Sequence, residues 1–163
     1  MKEILRSKND NDPRLDHDFN DLSPAAKTLF EEEYRRIPAE KRNERGTIVY
    51  LVGRNLRAPE DWKFLREVAL EPPCLSLSDC SKRPAPGGDD EATGDEITLA
   101  YPSLVALRQA QMALEKVSTL GAGGAGGAAT REEAMSLFAA AKASKTRVVA
   151  RKAVALEREF IHP

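Results

Sequence analysis

The stretch Glu40–Leu70 constrains the fold more than any other part of the chain. Its second half carries full helical punctuation. Pro59 stands where a helix would begin, at a position whose missing N–H costs nothing, and Glu60 and Asp61 follow in the first turn, where the helix dipole favours anions. Trp62, Leu65, Val68 and Ala69 then form one apolar stripe, with Lys63, Arg66 and Glu67 facing outward, and Pro72-Pro73 stop the run. The first half is ambiguous. Thr47-Ile48-Val49-Tyr50-Leu51-Val52 is a β-branched apolar run between Gly46 and Gly53, which alone fits a buried strand. Ala39–Arg45 ahead of it is rich in helix formers, no other turn residue intervenes, and Ile48, Leu51, Val52 and Leu56 follow a 3.6-residue period. We therefore read a helix, with a strand at 48–52 as the alternative. Two helices joined by little more than Arg57-Ala58 run antiparallel and in contact.

The remaining punctuation is also helical. The chain has 163 residues, within the about 100–200 of a single domain. Its apolar share of 41% rests on Leu, Ala and Val rather than on aromatics, which leans towards α. Residues 1–22 are polar, with the breaker cluster Asn9-Asp10-Asn11-Asp12-Pro13, and are expected as loop or disorder. A single helical domain is expected over 23–163. It opens on the serine cap and first-turn proline of Ser23-Pro24 and continues through Leu29, Phe30, Tyr34 and Ile37. Mobile loops are expected near 81–95, rich in Pro, Gly and Asp, and near 118–129, where Gly121–Gly127 reads as a linker. Glu96–Val117 reads as a helix kinked or broken at Pro102, with Leu104, Leu107, Leu114 and Val117 along a stripe and Ala110 and Ala113 allowing close approach. Thr130-Arg131-Glu132-Glu133 fits a capping box ahead of Ala134, Leu137, Phe138 and Ala141. Ser144 or Thr146 caps a last helix carrying Val149, Ala153, Leu156 and Phe160, so the two final elements form a second hairpin or one long bent helix.

The segment from Gly46 to Arg54 and on through Pro59-Glu60-Asp61-Trp62-Lys63-Phe64-Leu65 resembles a HEAT or armadillo-type repeat: a helix, a tight turn with an acidic residue, and a second helix. The likeness centres on residues 46–70, with a weaker echo at Thr98–Phe138. It implies an all-α fold of HEAT-like antiparallel hairpins in a short right-handed superhelix. A solenoid needs at least about three repeats to bury its faces, so an irregular six-helix bundle is the alternative.

Chemistry-bearing motifs are sparse. His17, between Asp16 and Asp18, and His162 are the two histidines. HEAT-like di-iron hydroxylases use His-Glu dipeptides, and neither histidine precedes a glutamate, so the resemblance brings no such activity and no cofactor is expected. Cys74 and Cys80 lack the spacing of a structural zinc site. They read as reduced thiols in a cytoplasmic protein, with a bridge as the alternative in an oxidising compartment. Cys80, beside Asp79 and near Lys82, has no histidine nearby in sequence to act as its base. No signal peptide or membrane span is expected. The glycine run at 121–127 lacks the strand and the lysine-serine pair of a phosphate loop.

Charge patterning carries the functional expectation. Arg147, Arg151 and Arg158 share a helix face, Lys142, Lys145 and Lys152 lie near them, and Arg54 and Arg57 flank the first hairpin's turn. With Trp62 as a candidate anchor, these six (Arg54, Arg57, Trp62, Arg147, Arg151 and Arg158) form the candidate interaction surface. The expected function is a non-enzymatic helical-repeat module or adaptor for another protein. The alternative is nucleic-acid binding through the basic C-terminal face, as HEAT-like DNA glycosylases use a basic concave surface. A formal net charge of −1 weighs against that alternative.

Overall fold

The computed structural model describes residues 12–83, 95–119 and 125–161, together with Glu3. Among the described residues the regular elements are helices: α1 Pro13–His17, α2 Pro24–Arg36, α3 Arg42–Gly53, α4 Pro59–Ala69, α5 Glu96–Leu99, α6 Tyr101–Thr119, α7 Ala125–Ala141 and α8 Arg147–Ile161. The all-α expectation holds, and the ambiguous run at 48–52 is helix. Ile48, Val49, Leu51 and Val52 are all fully buried, so α3 hides apolar side chains on several sides and reads like a strand for that reason. Burying each such side chain is worth about 1.5–3 kcal/mol relative to exposure.

The two glycines that seemed to bracket a strand have another role. Gly46 and Gly53 lie two turns apart on α3. A Cβ on Gly46 would overlap the Tyr101 ring, and one on Gly53 would overlap Gln109. Both neighbours belong to α6. The expected contact between α3 and α4 is present, but α3 packs most extensively on α6, which also touches α4, α7 and α8. The core follows from this arrangement: Ala106, Leu107, Ala110 and Leu114 of α6 meet Leu65 and Val68 of α4, Leu137 and Phe138 of α7, and Val149, Ala153 and Leu156 of α8 in one buried cluster.

Local signals account for the starts of α2 and α4. Ser23 Oγ accepts the Ala26 N–H at 3.2 Å to start α2. Ala58 has no oxygen with which to cap α4, and Asp61 of the first turn reaches back to accept the N–H groups of Arg57 at 2.8 Å and Ala58 at 2.9 Å. The expected break near Pro102 falls between α5 and α6, with Pro102 in the first turn of α6.

Several expectations are corrected. Residues 12–22 are not loop throughout: α1 lies there, Leu15 and Leu22 are buried, and Phe19 meets Phe30 edge-on at 5.8 Å. Leu29 is 64% exposed, because the buried face of α2 runs through Lys27, Phe30 and Tyr34. α7 begins at Ala125, so Gly126 and Gly127 are helical, while Gly121–Gly124 and most of the expected 81–95 loop fall outside the described residues. Thr130 is therefore no cap; its hydroxyl donates back to Gly126 O at 2.9 Å inside the helix, which the neighbouring alanines favour. α7 and α8 are separate helices in contact, not one bent helix.

Cys74 and Cys80 are joined as a disulfide, not held as reduced thiols. The chain between them turns back on itself. Leu75 N–H donates to Cys80 O at 3.0 Å, and Ser76 Oγ accepts the Asp79 N–H at 3.0 Å. Glu40 ties this loop to the approach of α3 by accepting the Cys80 N–H at 2.8 Å. That hydrogen bond holds the Glu40 carboxyl below its usual range.

Candidate functional site

The buried side of α8 is Val149, Ala153 and Leu156, each fully inaccessible. At about 100° per residue, Arg147, Arg151 and Arg158 fall within about 40° of one another on the opposite side. All three are exposed, and no hydrogen bond or ion pair engages them among the described residues. Arg147 and Arg151 are one turn apart, and Arg158 lies about 10 Å further along the axis. Lys145 and Lys152 are exposed on the flank. Three unengaged guanidinium forks in a row can each take a carboxylate or phosphate bidentately.

Other basic residues of the C-terminal half and of α4 are engaged. Lys142 pairs with Glu157 at 2.7 Å, Arg66 with Glu133 at 2.5 Å, and Arg131 donates to the Phe160 carbonyl at 2.7 Å near the end of α8. The glutamate at the start of α5 reaches the other end of α8: Glu96 Oε1 accepts the Val148 N–H at 3.1 Å.

The other half of the candidate surface does not join it. Arg57 is exposed but pairs with Asp21 at 2.7 Å. Arg54 donates to Tyr50 Oη at 2.9 Å, Leu15 O at 3.3 Å and Asn20 Oδ1 at 2.5 Å, binding the end of α3 to the segment around α1. Trp62 is 4% exposed and belongs to the core, so it offers no anchor to a partner.

Two buried polar clusters have no counterpart in the sequence reading. In the first, Lys27 Nζ donates to Asp61 Oδ2 at 2.6 Å and to Asn55 O at 2.5 Å, with side chains 7% and 4% exposed for the pair. Asn55 completes the cluster by accepting the Leu22 N–H at 3.0 Å and donating to Phe19 O and Leu51 O. In the second, Arg45 stacks over the Tyr34 ring at 4.0 Å and pairs with Glu71. Arg42 lies beside them and donates to Ala39 O at 3.1 Å. Burial, followed by the Glu71 charge, pushes the Tyr34 phenol far above its ordinary range, while burial pulls the Arg42 guanidinium down. Both clusters span three segments of chain and read as fastenings of the fold. The signal that could have found Lys27 was its place on the Phe30–Tyr34 face of α2.

His17 and Asp18 are exposed at the end of α1, and His162 lies outside the described residues. Among the described residues no group of three His, Cys, Asp or Glu side chains converges as a metal site would require, and no helix is long and apolar enough to cross a membrane. Compared with known proteins, the chain matches no family model, no curated protein and no solved structure.

Proposed function

We propose that this chain is a non-enzymatic helical interaction module that binds an acidic segment of a partner protein along α8. The observation that carries this reading is the stripe Arg147, Arg151 and Arg158, exposed on one side of α8 and unengaged within the chain, with Lys145 and Lys152 unpaired on its flank. Exposed arginine is a favourable contact residue because its planar fork is pre-organised and weakly hydrated. The test is titration of a fluorescent glutamate-rich peptide at low and moderate salt. We expect saturable, salt-sensitive binding that weakens at least about tenfold when Arg147, Arg151 and Arg158 are replaced together by alanine. No binding at low salt would overturn the reading.

The same stripe would also fit phosphates, so a nucleic acid is the second reading. With 25 basic against 26 acidic residues, the chain has no overall excess to draw a polyanion as long as a duplex. Tighter binding to a DNA or RNA duplex than to the peptide would transfer the proposal to nucleic acid. For the architecture, helices α3, α4, α7 and α8 arranged around α6 fit the irregular bundle better than a HEAT-like superhelix, in which each hairpin meets only its sequence neighbours. The disulfide favours an oxidising compartment over the expected cytoplasm.

A further inference from the structure

Away from α8, the end of α3 and the middle of α6 bound a cleft of about 640 Å³. Gln109 lines it. This side chain sits at a close approach of α3 and α6, over Gly53, which makes room for it by having no Cβ. Gln109 is only 4% exposed, yet its carboxamide makes no hydrogen bond to any protein group. Its amide atoms are not sealed from solvent, so the carboxamide is open to a donor or acceptor entering the cleft. The charged groups lining the cleft are both cations among the described residues, Arg54 and Lys116. Arg54 is held in place by Tyr50 and Asn20, and Lys116 is exposed with no ion pair. Leu56, Met112 and Val117 give the cleft an apolar side, and Met112 is 42% exposed although it is a large apolar residue. The volume lies within the about 300–1,000 Å³ of small-molecule sites, which combine apolar walls with a few placed polar groups.

We propose that this cleft binds a small organic anion with an apolar body, a carboxylate carried on a short hydrocarbon chain. The Gln109 carboxamide N–H donates to the carboxylate, Lys116 and Arg54 supply the opposing charge, and the chain lies along Met112, Leu56 and Val117. The site is independent of the α8 surface and does not rest on the interaction-module reading.

The probe is octanoate, with octanol as its uncharged counterpart, added to the full chain and followed by amide NMR. Octanoate should cause saturable shifts centred on the Gln109 side-chain amide and on residues 112–117, and octanol should bind at least about tenfold more weakly. Lys116→Gln, at an exposed position, and Gln109→Leu, which keeps the bulk but removes the amide, should each lower octanoate affinity about tenfold or more. Circular dichroism checks that both variants remain folded, and Lys116→Gln decides alone if Gln109→Leu does not. Absence of saturable shifts, equal binding of octanol, or Lys116→Gln binding octanoate as the parent does would each overturn the assignment.

Discussion

Around α2, α3 and α4, Lys27, Arg42 and Arg45 lie in the interior against carboxylates and carbonyls, whereas on α8 Arg147, Arg151 and Arg158 stand in solvent above a side made of Val149, Ala153 and Leu156. The N-terminal half joins its segments with charge. The α7–α8 pair joins its helices with small and apolar residues, including fully buried Ala134, Ala141 and Ala153 and the stacked rings of Phe138 and Phe160 at 6.5 Å. The difference bears on function. A cation spent inside the fold is lost to a partner, and a helix whose packing is apolar leaves its cations available.

This comparison can be broken by experiment, and the largest effect should come from the buried pair. Asp61→Ala strands the Lys27 ammonium and removes the acceptor for the Arg57 and Ala58 N–H groups, so we expect about 3–5 kcal/mol lost in urea denaturation. A loss under about 1 kcal/mol would mean that charge does not fasten this half. Leu137→Ala in the apolar half should cost about 3 kcal/mol by the same measurement, through lost burial and the cavity left behind. Reducing the Cys74–Cys80 bridge with a dithiol should cost about 2 kcal/mol, since the loop it closes is short.

A pH experiment separates the halves more finely. The Glu40 carboxyl is held below its ordinary range by the Cys80 N–H, so its contribution is present above that ordinary range and is lost as pH falls through the lower folded-state pKa. The Cys80 amide should therefore exchange faster with solvent in acid, beyond the intrinsic pH dependence of exchange, while amides in α7 and α8 do not. Smallest of all is the expected effect on stability of replacing Arg147 and Arg151 together by alanine, within about 0.5 kcal/mol, because neither has an intramolecular partner. A larger loss would show that the stripe has a structural role.

The sequence made some of this legible and hid the rest for a physical reason. Trp62, Leu65, Val68 and Ala69 of α4 and Val149, Ala153 and Leu156 of α8 were readable because one helix's periodicity reports which of its faces is buried. The Arg147–Arg151–Arg158 stripe was readable for the same reason. Lys27 and Asp61 were not, since their burial depends on partners 34 positions apart. Gly46 and Gly53 signalled strand ends locally, and their real neighbours, Tyr101 and Gln109, belong to a helix far along the chain. Gln109 itself reads as an ordinary surface residue of α6 until α3 is placed against it. Trp62, taken as a candidate anchor, faces the core from the apolar stripe that the sequence did show.

The central place of α6 also has a consequence during synthesis. α3 emerges from the ribosome with Ile48, Val49, Leu51 and Val52 already in sequence, yet its main cover, α6, is complete only at Thr119. At about 5–20 residues per second, those apolar side chains wait several seconds for their partner. Over that interval α3 has only α2 and α4 to meet, and its widest buried face stays uncovered.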